Sequence, residues 1–318
     1  MANIRDVAKK AGVAASTVSR YINKSGYVSE TSKEKIDRAI SELEYVPYDL
    51  NRSIIRTKII AMVVPDISHP FFSTLIKHIE ENLVINQFSL MVFSTNKSNS
   101  FISTLNSNLV DGVIIADANI DSKEIKRIKK PIIHLDRFIQ GVPTVSSDHK
   151  RGGALAGEEL VKAGCKSVIQ ICGEKSTDIP SYLSHTEFER VIKENGIDIE
   201  TIEIEWSDFN FEKFKQVARD ILDKNPRTDG VFGADMIAIA FIRAAQDKGL
   251  KIPRDLKVIS YDGSFTSQRN SIKVTTVVQD LVEIGKKSVE TVINLINGIE
   301  TVNKYDKIDV TLELGETT

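Results

Sequence analysis

Asn3-Ile4-Arg5-Asp6-Val7-Ala8-Lys9-Lys10-Ala11 and Ser16-Thr17-Val18-Ser19-Arg20-Tyr21-Ile22-Asn23 decide how this chain is read. In the first segment Ile4, Val7, Ala8 and Ala11 recur at the spacing of one apolar helical face. Asn3 stands where an N-cap is needed, and Gly12 stops the helix. In the second, Val18 and Ile22 bury one side and leave Ser16, Thr17 and Arg20 pointing outward. Two short helices joined by a glycine-containing turn make a helix-turn-helix, whose second helix is the one that enters the major groove. A third helix is expected behind Thr31-Ser32-Lys33-Glu34, which has the form of a capping box. Its apolar stripe is Ile36, Ala39, Ile40 and Leu43. Any three-helix bundle is the bland alternative.

Charge argues against the bland alternative. Residues 1–58 carry eleven Lys/Arg and seven Asp/Glu, leaving 31 and 37 for the rest of a chain that holds 42 and 44 in all. A basic head on an acidic body is the electrostatic footprint of a nucleic-acid module joined to a domain of another kind. The net charge of −2 conceals it.

Ile4-Arg5-Asp6-Val7-Ala8, Thr17 to Asn23, Val28-Ser29-Glu30-Thr31 and Leu43-Glu44-Tyr45-Val46-Pro47 resemble, in order and spacing, the headpiece of the lactose-repressor (LacI/GalR) family of bacterial transcription regulators. The resemblance continues to near the C-terminus. It implies a sequence-specific DNA-binding regulator, a repressor, that binds a palindromic operator as a homodimer. A small sugar-like effector between two lobes would control it. Contacts to double-stranded operator DNA are expected from Ala15, Ser16, Thr17, Arg20 and Asn23. Residues 47–58 have helical potential but are too short to be stable alone, since isolated helices below about 12–15 residues are marginal. The resemblance makes this segment a hinge helix that folds on DNA and wedges an apolar side chain into the minor groove. By position the wedge is Ile54, where the family usually has leucine, and Asn51 replaces the usual alanine. A plain flexible tether is the alternative for this segment.

At 318 residues, two or three domains are expected. The composition, 41% hydrophobic and 27% charged, is that of a soluble globular protein. The N-terminal residues do not read as a secretory signal, and no run approaches the roughly eighteen apolar residues of a membrane span. Cys165 and Cys172 lie in apolar, strand-like sequence and read as reduced and structural. Cytoplasmic location is the expectation.

From Ile59 the pattern changes to short apolar runs alternating with amphipathic helices. Strands are expected at Ile59–Val64, Leu90–Phe93, Gly112–Ile115, Pro131–Leu135, Ser167–Ile171, Val231–Gly233 and Leu256–Tyr261. Helices are expected at Phe72–Val84, Ile102–Leu109 and Gly152–Ala163. Such alternation implies an α/β protein of doubly wound parallel sheets in two lobes. The resemblance implies the periplasmic-binding-protein-like fold, with the chain crossing between lobes near Ser147, Val278 and Tyr305. The domains are then a headpiece at 1–46, a hinge at 47–58, and an effector-binding and dimerisation domain at 59–318. Within the last, lobe 1 takes about 59–147 and 279–305, and lobe 2 about 148–278 and 306–318.

Ligands of open parallel sheets bind outside the carboxyl ends of strands. Strand ends here supply Asp66 to Phe72, including Ser68, His69 and Phe71, then Asp136-Arg137, Asp235 and Asp262. Carboxylates accept from hydroxyls and flat rings cover the apolar faces of a sugar, so the set suits a polyhydroxylated ligand. Asp at a strand end is also an ordinary helix cap. The resemblance adds Phe209 as a stacking aromatic, with Trp206 as a neighbour for that role, and Gln279 at the second crossing. It also exposes a departure. Ser184 falls where the family usually has a ligand-forking arginine, which brings His185 forward and puts a simple monosaccharide in doubt.

No Gly-x-Ser-x-Gly, His-Glu-x-x-His, Cys-x-x-Cys or phosphate-binding glycine loop occurs, so an enzyme is not expected. His69, His78, His134, His149 and His185 are scattered, so neither a metal nor a cofactor is expected. A cytosolic sugar-binding protein without operator function is the competing class. It leaves the basic headpiece unexplained. A protein corepressor is unsupported.

Overall fold

In the computed structural model the described residues are 4–22, 26–43, 45, 56–95, 101–173, 179–204, 210–268, 272–299 and 305–318. They divide into two compact units, Met1–Ile59 with Ser107–Asp111, and the remainder.

The first unit opens with α1 (Ile4–Ala11), α2 (Ala15–Ile22) and α3 (Glu30–Glu42). Val7, Val18 and Ile36 are fully buried, with Ala8, Ala11, Val28 and Ala39 closing the same small core. The apolar spacing read from the sequence is therefore the packed face. Gly12 sits at φ +68°, a left-handed conformation that suits glycine, and lets the Val13 amide return to the Ala8 carbonyl. The Tyr21 hydroxyl donates to Asp37 at 2.6 Å and ties α2 to α3.

Thr31–Glu34 is not a capping box. The helix starts earlier, at Glu30, because the Ser29 carbonyl already accepts from the Ser32 and Lys33 amides. Ser29 is the N-cap residue, its hydroxyl turned to Ser32 at 2.9 Å rather than to a helix amide. Asn3, Asn23, Asn51 and Ile54 lie outside the described residues.

The second unit holds two six-stranded sheets. Their strands are β1 (Ile59–Val64), β2 (Ser89–Ser94), β3 (Gly112–Ile115), β4 (Ile132–Leu135), β5 (Thr144–Ser147), β6 (Ser167–Cys172), β7 (Asp198–Glu203), β8 (Gly230–Ala234), β9 (Lys257–Asp262), β10 (Thr275–Gln279), β11 (Tyr305–Ile308) and β12 (Val310–Glu313). Between them run α4 (Pro70–Ile85), α5 (Phe101–Leu105), α6 (Ser122–Ile125), α7 (His149–Lys162), α8 (Tyr182–Glu194), α9 (Phe211–Lys224), α10 (Asp235–Asp247), α11 (Phe265–Gln268) and α12 (Leu281–Ile296).

The first sheet has the order β11-β5-β4-β3-β1-β2, the second β12-β10-β9-β8-β6-β7. Strand β1 pairs in parallel with β3, β3 with β4, β4 with β5, β5 with β11, β6 with β7 and β8, β8 with β9 and β9 with β10, while β10 and β12 pair antiparallel. Parallel strands buried on both faces read as unbroken apolar runs, as Ile59 to Val64 does. Ile60, Met62 and Val64 pack against Leu75, Ile79 and Leu83 of α4 and Ile284, Val289 and Val292 of α12. In the second sheet Ile169 and Ile171 meet α9 and α10, while Val168 meets α7 and α8 on the opposite face.

The chain passes between the sheets after Ser147, after Gln279 and at Asp309. The last passage is not at Tyr305. Tyr305–Ile308 pairs in parallel with Thr144–Ser147, so these residues belong to the first sheet and the second lobe resumes at Val310. Gln279, placed by sequence in the first lobe, ends β10 and pairs with Val310 in the second. The helix expected to run to Leu109 ends at Leu105, where the Asn106 side chain instead binds the Arg127 carbonyl and the Lys129 amide. Strand β7 is not legible in the sequence because its two apolar residues, Ile199 and Ile202, stand three apart among charges at the sheet edge and show no strand period.

Candidate effector cleft and DNA-reading helix

On α2, Ala15, Ser16 and Arg20 are exposed and Thr17 is half-buried, while Val18 faces the headpiece core. A helix of eight residues with one buried side chain thus presents the polar side chains expected to read bases. The bond to the Asp37 carboxylate pushes the Tyr21 phenol up to about 12, so this contact stays a donated hydrogen bond at neutral pH.

A cleft of about 740 Å³ opens at the carboxyl ends of both sheets. From the first lobe come His69, Phe71, Phe72, Asp117, Asp136 and Arg137, and from the second His149, Tyr182, Ser184, His185, Tyr261, Asp262 and Gln279. Strand alternation explains the gathering. Each of Asp136 and Asp262 follows or ends a buried apolar strand, and both leave it through a positive φ, 54° and 115°. Non-glycine residues rarely adopt such angles, and the strain belongs to sites where geometry is held by the surroundings.

Asp136 Oδ1 accepts from the Ser146 hydroxyl at 2.6 Å and stands 2.8 Å from His149 Nε2. Burial opposes its ionisation, but His149 and the Ser146 hydroxyl outweigh burial and hold its carboxyl below the usual range. Asp262 is the opposite case. Burial, then the neighbouring Asp235 charge, push its carboxyl well above the usual range, against the Gln279 amide that donates to Oδ1 at 2.8 Å. Gln279 Oε1 in turn accepts from the Ser147 hydroxyl at 2.7 Å, so two crossings meet in one polar chain.

His69 and His185 line the cleft, and burial lowers both to about 4, leaving neutral rings. His185 approaches Gln170 Oε1 at 3.3 Å and packs on Phe232 with centroids 5.8 Å apart. Phe71 and Phe72 meet edge to face, 5.2 Å and 87°, and offer an apolar wall. Arg137 lines the cleft with its guanidinium fastened to the Ala118 and Ile120 carbonyls.

Two sequence candidates fall outside the cleft wall, and a third lines it with its hydroxyl bound elsewhere. Asp235 is 2% exposed and absent from the cleft wall; its Oδ2 accepts from the Ser264 amide and hydroxyl, both at 2.6 Å. It is the internal carboxylate of its lobe, pushed up by burial and partly restored by those serines. Ser68 folds back on Asp66 in a local turn and does not line the cleft. Ser184 does line it, but its hydroxyl donates to the Ser181 carbonyl at 2.7 Å. The backbone explains its burial: a Cβ built on Gly153 would stand 2.0 Å from the Ser184 carbonyl oxygen, so α7 and α8 touch main chain to main chain. Arg190 points outward to Glu187 and Glu194 and does not replace the missing arginine. Phe209 and Trp206 lie outside the described residues.

Sequence reading missed His149 and Tyr261, along with Asp117 and Tyr182 of the cleft wall. His149 enters there only among scattered histidines without metal spacing, whereas its signal is positional: it opens the helix that follows the first crossing. Among the described residues no group of three or more His, Cys, Asp or Glu is placed to hold a metal. No helix among them is long and apolar enough to cross a membrane.

Residues 3–48 match the family model of bacterial regulatory proteins, lacI family, and residues 158–318 that of the periplasmic binding protein-like domain. The chain is 32% identical to the ribose operon repressor of Halalkalibacterium halodurans, over 100% of this chain and 97% of that protein. This chain belongs to the LacI family of bacterial regulatory proteins. As a member it is a DNA-binding transcriptional regulator and not an enzyme. The sucrose operon repressor of Streptococcus mutans is also 32% identical, with 96% of each chain covered. Among solved structures, a LacI family regulator from Enterococcus faecium with bound ribose matches at a TM-score of 0.73 and 26% identity, covering 82% of this chain and 98% of that one.

Proposed function

We propose that this LacI-family chain represses transcription as a homodimer on a twofold-symmetric operator and that a sugar in the cleft controls it. One observation carries the effector half. Polar groups that suit hydroxyls, Asp136 from one lobe and Asp262 with Gln279 from the other, stand around one cleft beside the Phe71–Phe72 wall. A ligand touching both lobes favours one closure state by its difference in affinity between states. The names of the relatives, ribose and sucrose operon repressors, support a sugar. The bound ribose of the Enterococcus protein supports the same class of ligand.

For the DNA half, α2 carries Ala15, Ser16, Thr17 and Arg20, with Asn23 beyond it. A single reading helix spans few base pairs, and two heads joined through their bodies gain from effective concentration. Residues 47–58 serve as the hinge and Ile54 as the minor-groove wedge in this reading.

Thermal denaturation with D-ribose and with sucrose, paired with gel-shift on an inverted-repeat duplex, tests both halves. A ligand at a hundred times its Kd adds about 2.7 kcal/mol to stability. One of the two sugars is expected to raise the melting temperature and to change DNA retention. No shift with either sugar would sink the effector reading, and no retained duplex at low salt would sink the operator reading.

A further inference from the structure

His149 is 2% exposed and joins the lobes. It opens α7 in the second lobe, yet its Nε2 lies 2.8 Å from Asp136 Oδ1 at the end of the first lobe's β4. Its Nδ1 lies 2.8 Å from the hydroxyl of Tyr261 on β9, and the two rings stack at 5.8 Å and 26°. The approach of Tyr261 depends on a missing side chain: a Cβ on Gly152 would stand 2.6 Å from the Tyr261 hydroxyl. Three residues from three elements are thus fitted to each other at the back of the cleft.

The direction of the Nε2 bond follows from chemistry. His149 and Ser146 hold the Asp136 carboxyl below the usual range against burial, so it is an acceptor only. Nε2 therefore carries the proton. Nδ1 shares the second bond with the Tyr261 hydroxyl. Burial, then the charges of Asp136, Asp262 and Asp148, push the Tyr261 phenol well above its usual range, so it keeps its proton. Asp136 at one end of this chain of bonds and Tyr261 at the other both line the cleft.

We propose that His149 is a positioning residue of the cleft, tying Asp136 to Tyr261 across the lobes and so presenting both to hydroxyls of the effector. The proposal rests on the sugar reading given above.

The test uses the full chain labelled with nitrogen-15 histidine. His149 nitrogen shifts, assigned by their loss in His149→Gln, are recorded in the ligand-free protein, and calorimetry is run with D-ribose and with sucrose. A protonated Nε2 is expected, because its partner is the Asp136 carboxylate. His149→Phe is expected to bind the sugar at least tenfold more weakly. His149→Gln, which keeps a donor toward Asp136, should recover most of the affinity. A bare Nε2 in the ligand-free protein overturns the proposal whatever occupies the cleft, and so does wild-type affinity in His149→Phe. A protonated Nε2 with neither sugar binding overturns the sugar reading, and the hydroxyl assignment falls with it.

Discussion

Asp111 holds the main chain at Lys58. Its Oδ2 accepts from the Lys58 amide at 2.8 Å and its Oδ1 from the Thr57 amide at 3.2 Å. Lys58 has a φ of 58°, a left-handed angle that lysine does not favour, and the carboxylate is what fixes it. Residues 56–58 lead into β1 through this point. Asp111→Ala leaves two amides without their acceptor, and losing such partners costs about 1–3 kcal/mol when burial is high, less here where the site is half open. A fall of about 1 kcal/mol in urea denaturation is expected. Under the hinge reading proposed above, a several-fold loss of operator affinity should accompany it. Lys58→Gly in the same background should restore neither, since glycine relieves the angle but supplies no acceptor.

Arg20 is exposed near the C-terminal end of the reading helix. A guanidinium forking onto guanine is worth about 1–3 kcal/mol of base discrimination. Arg20→Ala is expected to abolish preference for the operator over random duplex while leaving weak, salt-sensitive binding. Equal selectivity in the mutant, by competition gel-shift, would remove Arg20 from the reader.

Much of this was legible before any coordinates, for identifiable reasons. Helical and strand periodicities survive because burial enforces them: Val7, Val18 and Ile36 in the headpiece, Ile60 and Met62 in the first sheet, are all at 0% exposure. Asp136 and Asp262 were legible because a carboxylate after a buried strand must emerge at the carboxyl end of the sheet. Asp235 met the same criterion and failed, since the Ser264 amide and hydroxyl captured it, and no local pattern announces a partner 29 residues away. His149 was illegible for a related reason. Its role depends on Asp136 and Tyr261, which are 13 and 112 residues distant. The third crossing was misplaced by a few residues because the strand pairing of Tyr305 with Thr144 is itself long-range.

His134 in the core and His69 and His185 on the cleft wall predict acid sensitivity. Burial is the first cause for each, lowering His69, His134 and His185 to about 4. Their unfolded value is near 6.5. Between about 6.5 and 4 the unfolded chain therefore binds more protons, so stability is present above that window and is lost as pH falls through it. Asp235 and Asp262, raised by burial, act in the opposite sense and offset part of the loss. Each histidine contributes up to about 2 kcal/mol by pH 5. Urea denaturation at pH 7.5, 6.0 and 5.0 should show a decline across this range, and His185→Phe should flatten it by about one histidine's share. A slope unchanged by that substitution would mean His185 is not buried neutral.

Asp262 predicts how the switch is wired. Burial and the Asp235 charge push its carboxyl well above the usual range, toward the acid form that offers a proton as well as an oxygen, while Gln279 donates to Oδ1 at 2.8 Å. Asparagine has the same shape, a donor and an acceptor, and tolerates positive φ. Asp262→Asn is therefore expected to bind D-ribose or sucrose, whichever the wild type takes, within a few-fold of wild type, and to keep the sugar's effect on DNA retention. Asp262→Gly removes the carboxyl without straining the φ of 115°. It should lose sugar affinity by about 10-fold or more, the equivalent of about 1–3 kcal/mol for a buried polar partner left unmade. Its melting temperature without sugar should stay close to that of Asp262→Asn. If the glycine variant responds to the sugar at wild-type concentrations, the effector does not touch Asp262, and Asp136 becomes the remaining carboxylate at the end of a cleft strand. If the asparagine variant fails where glycine does, the carboxyl acts as an anion, and the ligand must bring a stronger donor than a hydroxyl to this side of the cleft.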